Sequence, residues 1–113
     1  MLDATFAALA DPTRRTILSL LAENELSVGE VVEQFDITQS AISRHLNVLE
    51  NAHLIERRRE GQRRMCALRA QPLSEIDEWV NYYRPYWQSA LKRLDRTVTS
   101  RKTQKAAQGE STQ

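Results

Sequence analysis

Apolar residues recur along this chain at intervals of three and four, and a cap or turn residue stands at each break in the rhythm. Leu2, Phe6 and Leu9 mark a short amphipathic helix. Asp11-Pro12 then punctuates the chain, with Asp11 as N-cap and Pro12 at the first position of a helix that buries Ile17, Leu18 and Leu21 and runs to about Glu23. Ser27-Val28-Gly29-Glu30 is a Ser-x-x-Glu capping box followed by Val31, Val32 and Phe35, and Leu26 and Val31 have the spacing of a hydrophobic staple. This helix breaks at Asp36. Thr38 is the next N-cap candidate, Ile37 and Ile42 repeat the staple spacing, and Ile42, Leu46 and Leu49 define the buried stripe of a fourth helix. Its polar side carries Gln39, Ser40, Ser43, Arg44 and Asn47. Two short helices joined by such a turn predict a helix-turn-helix, whose second helix can enter a DNA major groove.

Two strand-length runs follow, Ile55-Glu56-Arg57-Arg58-Arg59-Glu60 and Arg63-Arg64-Met65-Cys66-Ala67-Leu68, with Gly61-Gln62 between them. They predict a β-hairpin with five arginines near its tip. A basic hairpin after a groove-entering helix makes a wing that can grip phosphates. The last helix is expected from near Pro72 or Ser74, with Glu75, Asp77 and Glu78 at its positive end. Leu73, Ile76, Val80, Tyr83, Trp87, Leu91, Leu94 and Val98 form a nearly heptad seam along it, and Pro85 inside the pattern predicts a kink or one lost backbone hydrogen bond. Residues 99–113 read as a disordered polar tail. The expectation is a mainly α winged helix-turn-helix with a small β-hairpin over residues 1–98, dimerising through its terminal helices.

At 113 residues, 41% hydrophobic and 27% charged, the chain has the make-up of one ordinary globular domain. Its net charge of +1 hides a polarity: the balance is −5 over residues 1–36, +4 over 37–71 and +2 over 72–113. Positive charge begins where the groove-entering helix begins, which orients a protein on a polyanion. No basic n-region, long apolar run or membrane span is present, so a cytoplasmic protein with no membrane partner is expected. The single Cys66 forms no intramolecular disulfide and suits a reducing compartment.

These motifs in this order resemble the ArsR-type winged-helix transcriptional repressors, over about residues 3–98. Asp11-Pro12-Thr13-Arg14-Arg15 with Ile17-Leu18 and Leu20-Leu21 is similar to the family's opening helix pair. Gln39-Ser40-Ala41-Ile42-Ser43-Arg44-His45-Leu46 resembles its recognition helix, and Glu25 to Val31 resembles the segment that carries paired cysteines in metal-sensing members. The resemblance implies a homodimer that binds a palindromic operator and blocks transcription until a signal releases it. It also implies thiolate positions at Ser27 and Gly29, where this chain has none, and a second metal site on the last helix, which contains no His. The chain is thus similar to a subgroup without metal ligands, and no cofactor and no metal are expected.

The DNA-contact candidates are Ser40, Ser43 and Arg44, with Gln39 and Asn47 behind them, and Arg63 and Arg64 in the wing in preference to Arg58. The dimer-interface candidates are Leu2, Phe6, Ile76, Val80, Tyr83, Trp87, Leu91 and Leu94. His45 is expected to pack or cap, His53 to occupy a helix C-terminal position that often takes Gly, and Cys66 to be a buried inert thiol. Trp79, Tyr83 and Trp87 suit core or interface more than a ligand pocket. An enzyme is disfavoured: there is no Ser/His/Asp set and no glycine-rich phosphate loop. The alternatives kept are a protein-binding winged helix, an RNA-binding one, and a repressor switched by a small inducer or by oxidation of Cys66.

Overall fold

The computed structural model describes the backbone of residues 2–107 and the side chains of residues 2–95. Helices α1 (Leu2–Leu9) and α2 (Pro12–Glu23) lead to a two-residue strand β1 (Leu26–Ser27) and a short helix α3 (Val28–Glu33). Helix α4 (Gln39–Asn51), strands β2 (Ile55–Glu60) and β3 (Arg63–Leu68) and helix α5 (Gln71–Ala107) complete the chain. The strands form one antiparallel sheet in the order β1-β3-β2. The chain divides into two compact units, residues 1–77 and 78–113.

The predicted caps account for the boundaries of the first unit. Asp11 accepts a hydrogen bond from the Arg14 amide at 3.1 Å, with Pro12 starting α2. Ser27 and Glu30 close a full capping box: the Glu30 amide donates to Ser27 Oγ at 3.1 Å, and the Ser27 amide donates to Glu30 Oε1 at 2.8 Å. Thr38 Oγ1 accepts from the Ala41 amide at the start of α4. At the far end of α4, His53 sits at φ 61°, in the left-handed region. Its amide reaches Glu50 O and the Leu54 amide reaches Leu49 O, both at 3.0 Å, which is the Schellman pattern. Gly61 takes φ 64° at the tip of the β2–β3 hairpin, where its lack of a Cβ removes the strain.

The core gathers one face from each element. Ile17, Val31, Ile42, Leu46, Leu49, Leu54 and Cys66 are all fully buried. Truncating any of the larger ones to Ala leaves a cavity that costs roughly 2–5 kcal/mol. The stripe Ile42, Leu46, Leu49 therefore fixes which side of α4 stays outside.

Several expectations change. Helix α1 buries the small residues Thr5 and Ala8, which carried no apolar signal, and leaves Phe6 at the surface and Leu2 half-buried. Ile37 is exposed, and α3 ends at Glu33, before Phe35. A third strand, β1, joins the expected hairpin through Leu26↔Cys66 and Ser27↔Met65. Helix α5 starts at Gln71, so Glu75, Asp77 and Glu78 lie beyond its first turn. It keeps Pro85 inside and continues past Val98 to Ala107. The rest of the expected tail, residues 108–113, lies outside the described residues.

From Glu78 on, α5 leaves a run of large apolar side chains uncovered. Trp79, Tyr83, Trp87, Leu91 and Leu94 are 38–61% exposed. The rings of Trp79 and Tyr83, and of Tyr82 and Tyr83, meet edge to face at 5.1 Å.

Candidate DNA-binding surface

Helix α4 meets different neighbours along each of its stripes. Ile42, Leu46 and Leu49 face the core. Ala41, Arg44, His45 and Val48 border a small cleft shared with Arg14 of α2. Gln39 and Ser43 line a cleft of about 420 Å³ whose other wall includes Gly29, Arg57, Arg63 and Arg64. Between these two clefts lies the outward, polar side of the helix. Gln39, Ser40, Arg44 and Asn47 are exposed there, with Ser43 half-buried at the edge. Ser40 also touches its cap, with its hydroxyl 3.3 Å from Thr38 Oγ1.

His45 is held from the α2 side. Arg14 Nη1 lies 3.2 Å from His45 Nδ1, and Asp11 Oδ2 lies 3.8 Å from the same nitrogen. The ring thus meets both a cation and an anion that belong to α2 and its cap. His45 therefore braces α4 against α2, consistent with a packing role.

The wing sorts its arginines by strand alternation. Residues opposite one another share a face, and successive residues alternate. Arg57↔Cys66 and Arg59↔Arg64 fall on one face; Arg58↔Met65 and Glu60↔Arg63 fall on the other. On the second face the charges are answered. Arg58 pairs with Glu25 and Glu60, and Arg63 Nη2 donates to Glu30 Oε1 at 2.6 Å. On the first face Arg57, nearest the core, donates to Asn47 Oδ1 at 2.6 Å and to Glu50 Oε1 at 2.7 Å. Arg59 and Arg64, nearer the tip, meet no carboxylate within salt-bridge distance among the described residues. At the base of the wing Arg69 pairs with Glu56.

These contacts set the electrostatics. The Arg57 guanidinium holds the Glu50 carboxyl below its usual range, and the Ser27 amide does the same for Glu30. Burial pushes the Cys66 thiol up, with Cys66 fully enclosed in the core.

Of the expected contact residues, Gln39, Ser43 and Arg64 border one cleft, Arg44 borders the other, and Ser40 and Asn47 are exposed on α4. Arg63 borders the first cleft but is engaged by Glu30. Arg59, outside the expected contact set, shares its strand face with Arg64.

The profile of the bacterial regulatory protein ArsR family matches residues 11–57, from the cap of α2 through α4 into the wing. The transcriptional repressor SdpR of Bacillus subtilis is 39% identical over 75 residues, spanning 66% of this chain and 83% of that protein. A crystal structure of an ArsR family transcriptional regulator superposes with a TM-score of 0.71 at 32% identity, covering 78% of this chain and 91% of that one. The chain belongs to the ArsR family.

This ArsR-family protein is therefore a DNA-binding transcriptional regulator and not an enzyme. Its winged fold is also that of HlyU from Vibrio cholerae, with a TM-score of 0.59 at 34% identity over 74% of this chain and 88% of that one. HlyU of that species, named a transcriptional activator, is 44% identical over 55 residues, 49% of this chain and 51% of the protein.

Proposed function

We propose that this ArsR-family regulator is a homodimeric, metal-independent repressor that binds a palindromic operator in the cytoplasm. The observation that carries the DNA-reading part is the exposed polar side of α4, whose Gln39 and Ser43 share a cleft with the unanswered Arg64 of the wing. Helix α4 reads base edges through Arg44, Ser40 and Ser43, while Arg59 and Arg64 neutralise flanking phosphates. Likeness to SdpR, named a repressor, supports repression over activation, since its sequence match spans 66% of this chain and that to HlyU 49%.

Dimerisation is supported by the exposed apolar run of α5 from Trp79 to Leu94. Contiguous large apolar residues at helical spacing lower their free energy by pairing with a second copy. The surface-lying Phe6 and half-buried Leu2 of α1 offer a second patch of the same kind. Two-fold symmetry doubles the base readout and places the half-sites one helical turn apart, about 34–36 Å.

Metal sensing fits poorly with the donors present. Ser27 Oγ is buried and occupied by the Glu30 amide, Gly29 has no side chain, and no cluster of three metal-ligating side chains occurs among the described residues. A switch through Cys66 is disfavoured by its enclosure and raised thiol pKa, since the thiolate is the reactive form.

The deciding experiment is operator selection from randomised duplex DNA, followed by binding at several salt concentrations. Arg44→Ala should cost roughly 1–3 kcal/mol on the selected site and less on random duplex. Trp87→Ala should lower both dimer formation in sedimentation and affinity for the two-half-site operator. A monomeric protein with full operator affinity, or a tenfold response to zinc, nickel, cadmium or arsenite, overturns the corresponding part.

A further inference from the structure

Three of the wing's five arginines are already balanced by carboxylates: Arg57 by Glu50, Arg58 by Glu25 and Glu60, and Arg63 by Glu30. The last pair stands apart, because Arg63 also borders the cleft that Arg64 shares with Gln39 and Ser43 of α4. Its charge is beside the place where a backbone phosphate would meet the wing, yet its Nη2 donates to Glu30 Oε1 at 2.6 Å. Glu30 is not a free side chain that happens to lie near. The same Oε1 accepts the Ser27 amide at 2.8 Å, and the Glu30 amide donates to Ser27 Oγ at 3.1 Å, so the capping box of α3 sets the carboxylate in place. The Ser27 amide also holds the Glu30 carboxyl below its ordinary value, which keeps it an anion near neutral pH. Because the cap already orders the carboxylate, forming the ion pair immobilises only the arginine.

We infer that Glu30 is an affinity-setting residue, which holds Arg63 in reserve as a phosphate contact that the wing does not use while the carboxylate is charged. This rests on the proposal that the wing lies along the duplex. An arginine gains from a phosphate only what exceeds the partner it gives up. Both side chains are exposed, Arg63 at 59% and Glu30 at 44%, so the pair is of the weak, screened kind and its handicap to binding is roughly two- to fivefold. A phosphate brought up to Arg63 would also lie beside the Glu30 charge, and the two anions repel. Arg64, on the other strand face, has no carboxylate to give up. The effect carries no sequence information, since a phosphate contact positions the protein without reading a base. Glu30 therefore lowers affinity for operator and random duplex by the same factor and leaves their ratio alone. It keeps the grip of the wing below what its arginines could supply, and so speeds release from DNA of any sequence.

The test is the affinity of the full chain for its selected operator and for random duplex, each at several salt concentrations. Glu30→Gln keeps an acceptor for the Ser27 amide, so the capping box survives. It removes the charge that balances Arg63, and any hydrogen bond left between them is no longer carboxylate-assisted and yields to a phosphate. The variant should bind both duplexes about threefold tighter, with a salt slope steeper by about one phosphate. A folding defect weakens binding and cannot imitate that gain. Removing any negative charge near DNA favours binding to some degree, so Glu33→Gln, which takes the same charge from the same helix, is the control. In an Arg63→Ala background Glu30→Gln should do no more than Glu33→Gln does. Arg63→Ala by itself supplies an independent check: it should change affinity and slope much less than Arg64→Ala. The inference is overturned by a Glu30→Gln protein that binds no tighter than Glu33→Gln, by a gain that survives Arg63→Ala, or by an Arg63→Ala loss equal to that of Arg64→Ala. An Arg64→Ala protein with the wild-type slope would show instead that the wing lies off the duplex, and would overturn that reading and this inference together.

Discussion

Arg59 and Arg64 stand directly opposite one another across the wing, two cations on one face with no carboxylate in salt-bridge reach among the described residues. Like charges placed opposite in a sheet are destabilising unless a third charge intervenes, and a phosphate between them supplies it. Replacing either by Ala should weaken all duplexes to a similar extent and reduce the salt slope of binding by about one phosphate contact. The free protein should melt no lower than the wild type. A loss confined to the selected operator, with random duplex unaffected, would contradict this.

Asp11 links the cap of α2 to acid stability. The Arg14 amide hydrogen bond, followed by His45 and the Arg14 charge, holds its carboxyl below the ordinary value. Its stabilising contribution is present above the unfolded value, near pH 4, and is lost as pH falls through the lower folded value. Asp11→Asn keeps an N-cap acceptor and removes the charge. Urea titrations from pH 7 to 3 should show the variant losing less stability than the wild type in the acid range.

His53 carries the left-handed turn that ends α4. A glycine takes that conformation without a Cβ clash. His53→Gly should therefore leave the protein equally stable or raise its stability by up to about 1 kcal/mol, as read from chemical denaturation. A large loss would mean that the ring itself holds the turn.

Cys66 should resist thiol reagents in the native protein and react at once in denaturant. Its enclosure keeps reagents out and keeps the thiol protonated. The measurement is the rate of modification by a disulfide reagent at neutral pH, with and without urea. Fast labelling without denaturant would reopen the oxidation switch.

The helices were legible because their signals are local. A cap such as Ser27 with Glu30, or a stripe such as Ile42, Leu46 and Leu49, lies within one or two turns of chain. Strand β1 was not legible, since a two-residue segment has no period and exists only through pairing with β3. The polar face of α4 was equally open to sequence reasoning, but the sorting of the wing arginines was not. Arg58 and Arg63 are answered by Glu25 and Glu30, 33 residues earlier in each case, and nothing in the local pattern announces such partners. The face that α1 buries within one chain, Thr5 and Ala8, carried no signal of size or hydropathy.

The last carbonyls of α1 are not closed by a glycine turn. Arg14 Nε donates to Ala8 O at 2.7 Å, Arg14 Nη2 to Ala7 O at 3.0 Å and Arg15 Nη1 to Leu9 O at 2.7 Å, all from the following helix. A helix of eight residues is far below the roughly 12–15 needed for even marginal stability in isolation. Its order therefore depends on α2, whose arginines close its last turn. In native-state hydrogen exchange the amides of α1 should open earlier than those of α2 and α4, as a separate, less protected step.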